Sequence, residues 1–513
     1  MMNKRRNKDQ NKNTNEGRKV KQGKKNNQDR KMIYTIAAIF IMLFALLIGY
    51  MVYFTIFKQK QMAVHPQNTR LNSLESEVIR GNIYDTTTKE LLATTTEDGE
   101  RYYPYKSLYA HPIGYAQSGK TGVEALANQQ LLYPSYDIIS LIKAVFMNKK
   151  FKGRDVVLTL DHRYQEAVAR GMEGKRGGVV VMEATTGKIR AMYSTPHFDP
   201  NKIVENWSKL NTDTEDTPLV NRATKGLYPP GSIFKIVTTL AYMQTHPGET
   251  LDFTHDCTGS ISGTDYSIKC YNQAVHGELG LTEAFAKSCN TYFIALAESL
   301  PAGALKAAAE SVGYNGPLNF DMDYSMSRFS LNEKGSTLAT SQDKAGATNT
   351  SDVISSDFEK AATAIGQGKT LTSPLHMAIL ASAIINDGVS MKPYLIEYSM
   401  TKTGTIKLSN RPKQTGALMT EEQAKMLQEL MENVVDHGTA VSLPEKGLIV
   451  GGKTGTAQNE TEDDHSWFMG YAKDPNGNKA PIAFAVVVEG GGKGAQALKV
   501  CDQILQAYRN SEE

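Results

Sequence analysis

Cysteine and tryptophan are scarce in this chain, four and two among 513 residues. Cysteine that sparse excludes a disulfide scaffold, and Cys257, Cys270, Cys289 and Cys501 form no Cys-x-x-Cys pair. Cys257 and Cys270 bracket a Gly-rich loop and could bridge, whereas Cys289 and Cys501 look unpaired. The ten histidines show no ligand spacing such as His-Glu-x-x-His, so no metal site and no cofactor is implied. Long apolar runs are also missing, with one exception. That excludes a multi-span membrane protein and leaves a chain too long for a single core, for which two or more domains are expected.

The exception is Met32 to Phe57, 26 residues without a charge. As a helix rising 1.5 Å per residue it would extend ~39 Å, enough to cross a hydrocarbon core of ~30 Å. A cleaved signal peptide has an apolar region of only ~7–15 residues, and Lys58-Gln59-Lys60-Gln61 offers no small-x-small cleavage site. Residues 32–57 therefore read as an uncleaved transmembrane anchor. Ahead of it, residues 1–31 hold 12 Lys/Arg against 3 Asp/Glu, which leaves 45 against 51 for the rest. This tail is basic, rich in Asn and Gln, and expected to be disordered. Beside a membrane span such charge sets topology, with the N-terminus cytoplasmic and the remaining chain outside, and it is not read as nucleic-acid binding.

After the anchor, residues 58–153 are short apolar runs broken by Gly, Pro and polar clusters, a small mixed domain carrying an Arg–carboxylate pair and no nucleophile–base pair. Residues 154–513 begin with a strand-like run, Asp155 to Asp161, and a helix from Arg163 to Met172. A hairpin follows, Gly178 to Met182 and Ile189 to Tyr193, turning at Thr185-Thr186-Gly187-Lys188. Helical runs are expected near 281–299, 303–312, 357–365, 374–386 and 420–436, with a closing strand Ile482 to Val488 and helix Ala495 to Tyr508. Strands at both ends and helices between them give an α+β fold, an antiparallel sheet with a helical subdomain inserted. Ser330 to Asp357 reads as an exposed loop.

Three short patterns carry chemistry. In Tyr228-Pro229-Pro230-Gly231-Ser232-Ile233-Phe234-Lys235 the prolines and glycine stop the preceding chain, and a helix can start at Ser232. Residues three apart on a helix share a face, so the Lys235 amine could serve Ser232 as a base if burial or a second cation lowers its pKa. Ser288-Cys289-Asn290 puts a hydroxyl and a carboxamide at a junction of two helical stretches, where they could relay a proton and hold a substrate amide; the plain alternative is a helix cap. Lys453-Thr454-Gly455-Thr456-Ala457 reads as a strand whose Gly455 side is bare, so that a substrate backbone could lie against it. Lys453 would attract a carboxylate, and the Thr456 N–H could meet an oxyanion. Each pattern alone is common by chance; the three in this order are not.

Ser-x-x-Lys, Ser-x-Asn and Lys-Thr-Gly together are the signature of penicillin-binding proteins and serine β-lactamases. From about residue 62 onward the chain resembles the class B penicillin-binding proteins, the monofunctional peptidoglycan transpeptidases. Further similarities are Arg80-Gly81-Asn82-Ile83-Tyr84-Asp85, Gly187 to Asn201 with Phe198-Asp199-Pro200-Asn201, His276-Gly277, Gly366-Gln367-Gly368 and Gly438-Thr439-Ala440. The resemblance implies a penicillin-binding transpeptidase domain over residues 154–513 behind a pedestal at 58–153. It implies that Ser232 attacks the D-Ala-D-Ala carbonyl of a stem peptide, with Lys235 as base, Ser288 and Lys453 in proton transfer, and Asn290 holding the donor amide. Ser232 and Thr456 N–H groups would form the oxyanion hole, and Thr454, Gly455 and Thr456 would bind substrate. β-Lactams should acylate Ser232. No separate deacylating carboxylate is marked, and no second catalytic domain precedes residue 62, so a membrane glycosyltransferase of the SEDS type is the implied partner. A D,D-carboxypeptidase, a serine β-lactamase and a non-catalytic β-lactam sensor stay open as alternatives, and so does service in elongation or division.

Overall fold

The computed structural model describes residues 31–51, 53, 78–133, 151–248, 252–264, 266–331, 356–443, 447–458, 463–492 and 495–511. The basic tail and nearly all of the expected Ser330–Asp357 loop lie outside them. The chain divides into two units, Met1–Asn72 and Ser73–Glu513. Within the first, Lys31–Met51 is a 21-residue helix of mean hydropathy 2.6 whose side chains are not buried by protein. At 1.5 Å per residue it is ~32 Å long, matched to a hydrocarbon core. Residues 52 and 54–57 of the expected 32–57 span lie outside the described residues.

The second unit is built on a five-stranded antiparallel sheet in the order Ile449–Ala457, His465–Lys473, Ile482–Glu489, Arg176–Glu183, Ile189–Thr195. Its strands are buried along nearly their whole length, and Ile482–Glu489 reads as an almost unbroken apolar run, because both faces are covered. Helix Pro374–Ile385 lies on one face against Ile482–Glu489 and Arg176–Glu183. It is apolar all round and buried along almost its whole length, as a helix enclosed on every side must be. Ser373 caps it, accepting from the His376 N–H at 3.3 Å. Helices His162–Gly171 and Ala495–Asn510 pack on each other beside Ile189–Thr195 and the central strands. The expected hairpin is present, with Val181 and Met182 at a register shift.

The helical subdomain holds the nucleophile helix Lys235–Thr245 with Leu281–Ala286, Asn290–Ser299 and Ala304–Ser311. The run expected over 281–299 is interrupted at residues 287–289, where Ser288 has φ 55°. Two small antiparallel pairs adjoin it: His255–Cys257 with Gly277–Leu279, and Ser260–Ser262 with Ser267–Lys269.

A second sheet has six strands in the order Ile406–Ser409, Ile396–Met400, Asp155–Leu158, Ile83–Tyr84, Leu91–Thr95, Arg101–Tyr102. It therefore mixes strands from both sides of residue 153, with Ile83–Tyr84 parallel to Asp155–Leu158. The Arg–carboxylate pair expected here proves to be a triad: fully buried Glu124 accepts from Arg80 Nε at 2.6 Å and Arg101 Nε at 2.7 Å. Burial opposes the Glu124 charge, but the two guanidiniums outweigh it and hold the carboxyl below the ordinary carboxylate range. Glu124→Ala should cost about 3–5 kcal/mol, since it strands two buried cations. Chemical denaturation of the full chain in detergent checks this. Because the folded pKa is lowered, the Glu124 contribution is present above the unfolded value near 4.3 and is lost as pH falls.

Candidate active site

Ser232 lies half-buried on a single 3-10 turn, Gly231–Phe234, that runs directly into helix Lys235–Thr245. In a 3-10 turn residues i and i+3 are eclipsed, which sets Ser232 and Lys235 on one side. The turn is wedged against the edge strand Ile449–Ala457. Gly231 has φ 56°, and a Cβ there would fall 2.5 Å from the Thr456 carbonyl oxygen, so only glycine fits. Its N–H donates to the Gly366 carbonyl at 2.8 Å.

Lys235 is wholly buried, and its ammonium donates to three neutral acceptors: Ser288 O at 2.7 Å, Ser288 Oγ at 3.1 Å and Asn290 Oδ1 at 2.8 Å. All three N–H donors are thus used, and none of the three acceptors is a carboxylate. Burial pushes the amine down to about 7, and negative charge on Cys289 and Cys270 pulls it back up only in part. Asn290 is the first residue of its helix, with Cys289 at the cap, and its Nδ2 donates to the Lys269 carbonyl at 3.0 Å. The Ser-x-Asn segment is therefore both a helix start and a partner of Lys235.

Lys453 is also fully buried. Its hydrogen bonding among the described residues is one long contact, 3.5 Å to Thr454 O, and Phe285 lies 5.6 Å beneath it. Burial, and next the charge of Lys235, drive its pKa well below the lysine value. Thr454 Oγ1 lies 2.6 Å from Thr439 Oγ1. Thr456 is half-buried, and its carbonyl is 3.5 Å from Gln367 Nε2. The bare side of Gly455 is not open, as the sequence suggested. A Cβ there would lie 3.0 Å from Pro230 O and 3.1 Å from Ile233 Cγ2. The missing side chain admits the nucleophile turn, and what remains for an extended ligand is the outer edge of the strand.

The structure thus brings all three patterns together, the Ser-x-x-Lys turn against both the Ser-x-Asn segment and the Lys-Thr-Gly strand, and it adds residues that had no assigned role. Thr439 and Gln367 lie in segments quoted for their similarity alone. Trp467 is fully buried and donates Nε1–H to Pro229 O at 3.1 Å, while Tyr228 stands edge-on to it. Tyr228 OH donates to Glu489 at 2.6 Å, and Glu489 is held by Arg222 Nε at 2.7 Å. This brace fixes the backbone entering the turn, but its members are 261 and 267 residues apart in sequence, so no local pattern could reveal it.

A cluster of a different kind lies behind the Ser-x-Asn segment. All four cysteines are free and buried, and the Cys257 and Cys270 sulfurs are 3.6 Å apart, unbonded. The donor atoms of Cys257, Cys270, His276 and Cys289 lie within 4.8 Å of one another and could hold a metal ion. The sequence implied no metal site because these residues are spread from position 257 to position 289 without a recognised ligand spacing; strand pairing and a helix cap bring them together.

The profile of the penicillin binding protein transpeptidase domain matches residues 177–507. The peptidoglycan D,D-transpeptidase PbpA of Mycolicibacterium smegmatis is 30% identical, over 89% of this chain and 93% of its own. Penicillin-binding protein A of Mycobacterium tuberculosis, solved as an imipenem acyl-enzyme complex, superposes with a TM-score of 0.72. It is 26% identical and covers 85% of this chain and 99% of that one. The D,D-transpeptidase domain of a peptidoglycan glycosyltransferase from Eggerthella lenta gives 0.70 at 29% identity, covering 84% and 97%.

Proposed function

Because the chain belongs to the penicillin-binding transpeptidase family, as a class B member, we propose that it cross-links peptidoglycan through a Ser232 acyl-enzyme and that β-lactams acylate the same serine. The observation that carries this is the Lys235 amine, wholly buried, hydrogen-bonded to three neutral acceptors and pushed down to about 7 by burial. It is a general base poised near neutrality, three residues from a half-buried serine.

Lys235 takes the Ser232 proton as Oγ attacks the carbonyl between the two terminal D-alanines. The N–H groups of Ser232 and Thr456 receive the oxyanion, each worth roughly 3–4 kcal/mol. Ser288, hydrogen-bonded to Lys235, passes the proton to the departing D-alanine. Asn290 holds the donor amide, and an amine of a second stem peptide then takes the acyl group. The substrate carboxylate meets Lys453 and the Thr454 and Thr456 hydroxyls. Its arrival favours the charged form of Lys453, and that charge disfavours a second one on Lys235. Substrate binding thereby prepares the base.

The anchor places the catalytic unit outside the membrane, with the basic tail cytoplasmic, and a SEDS-type glycosyltransferase supplies glycan strands. Residues 58–153 serve as pedestal and 154–513 as the catalytic domain. The full chain in detergent, given a donor ending in D-Ala-D-Ala and an amine acceptor, should release D-alanine and form the cross-linked amide, read by mass. Release of D-alanine with only hydrolysed donor would make it a carboxypeptidase. Stable β-lactam label with no peptide product would make it a sensor.

A further inference from the structure

We propose that Thr439 is a substrate-binding residue and that its hydroxyl, together with that of Thr454, receives the terminal carboxylate of the donor. The assignment deepens the transpeptidase reading and rests on it. The observation behind it is a pair of hydroxyls with unequal access. Thr454 Oγ1 and Thr439 Oγ1 are 2.6 Å apart. Thr454 is buried, with 8% of its surface accessible, whereas Thr439 is exposed. Of the two, Thr439 is the one that a ligand from solvent reaches first.

Local structure puts it there. Helix Glu421–His437 packs on strand Ile449–Ala457 and on helix Leu281–Ala286. The chain leaves that helix through Gly438, where a Cβ would lie 2.5 Å from the Ala286 carbonyl oxygen. The close approach lets the Thr439 N–H donate to the same carbonyl at 3.2 Å. Ala286 is two residues ahead of Ser288. Thr439 is thus pinned by its backbone next to the Ser-x-Asn segment and by its side chain to the Lys-Thr-Gly strand. It belongs to neither pattern and lies 15 residues before Thr454.

The pair suits a carboxylate. Each hydroxyl carries one hydrogen and turns to suit its partner. Within the pair one hydrogen is spent and the other is left over. An ionised carboxylate only accepts, and its two oxygens offer about four lone-pair sites, so it can take a hydrogen from both threonines. Bonds to a charged acceptor are roughly twice as strong as neutral ones, so the ligand outcompetes the bond inside the pair. The end of helix Glu421–His437 opposes an anion, because its last carbonyls carry partial negative charge. Two features offset this. The Val434 carbonyl is already met by the N–H groups of Gly438 and Ala440, at 3.2 and 3.1 Å. Lys453 directly precedes Thr454, and an incoming carboxylate favours its charged form. The site therefore prefers a donor with a free terminal carboxylate to one whose terminus is esterified or amidated.

The test uses the full chain in detergent, a fluorescent penicillin, and the methyl ester of that penicillin's carboxylate, with acylation followed against probe concentration. Thr439→Val keeps the shape and removes the hydroxyl. It should lower the second-order rate constant for the free acid about 10-fold, the scale of one hydrogen bond to a charged group. The loss should lie in the apparent binding constant, with the limiting acylation rate unchanged. Toward the methyl ester Thr439→Val and the parent should be equal, and Thr439→Ser should restore most of the rate with the free acid. A merely structural role would slow both probes alike. Should valine crowd the turn, Thr439→Ala removes the same hydroxyl without added bulk. Equal losses toward acid and ester, a loss confined to the limiting rate, or parent-like labelling of Thr439→Val by the free acid would overturn the assignment while leaving Ser232 acylation in place. A parent chain that neither probe acylates would overturn the transpeptidase reading, and this assignment with it.

Discussion

Ser232→Ala should take no penicillin label at all, while the parent chain carries one stable label on the peptide containing Ser232. Removing a nucleophile that acts as a unit with its base costs on the order of 10⁶ in rate, far below any detectable acylation. The residue is set up for this role. Gly231, where a Cβ would fall 2.5 Å from the Thr456 carbonyl oxygen, turns the chain so that Ser232 emerges half-buried from the 3-10 turn, and Trp467 and Gly366 hold the turn on both sides. Because Ser→Ala removes one oxygen from a half-buried site, the variant should fold, and an unchanged unfolding midpoint would show that the lost label reports chemistry. Label surviving in Ser232→Ala would move the nucleophile elsewhere.

Lys235→Ala should slow acylation by about 10²–10⁴, the range of a positioned general base. In the parent chain the rate should rise with pH up to about 7 and then level off. The sign follows from the base having to be neutral: below a folded pKa of about 7 the amine is protonated, its lone pair is occupied, and each unit of acid costs about tenfold. Lys235→Arg keeps the charge and the donors but cannot be deprotonated, so it should be as inactive as Lys235→Ala. Asn290→Ala removes one of three acceptors of the amine and should lose less. A flat pH profile, or equal mild losses in Lys235→Ala and Asn290→Ala, would sink the assignment of Lys235 as base.

How much of this was legible in advance depends on sequence distance. The N-terminal apolar helix, the hairpin and the helix expected near 374–386 are set by neighbours within a few residues, where periodicity, charge and turn residues act directly. Ser232, Lys235, Ser288, Asn290 and Lys453 could be named because each lies in a short pattern and the three patterns occur in order. Gly455 was read with the wrong neighbour: a bare strand position looks open in sequence, and only packing shows that Pro230 and Ile233 fill it. A lysine pKa near 7 could be hoped for from the pattern, but it is the tertiary fold that seals Lys235 away from water.

Sequence by itself determined the class of the fold, the order of its elements and an N-terminal helix long and apolar enough to cross a membrane, and it put forward the candidate reactive side chains, since these rest on local pattern. The tertiary structure decided which of them meet. It joined strands from either side of residue 153 in one sheet and braced Tyr228 with Glu489 across 261 residues. It also gathered three cysteines and a histidine that show no spacing of their own. The physical reason is the same throughout: contacts that depend on strand register and helix packing are fixed by burial of the whole core, and no window of sequence contains that information.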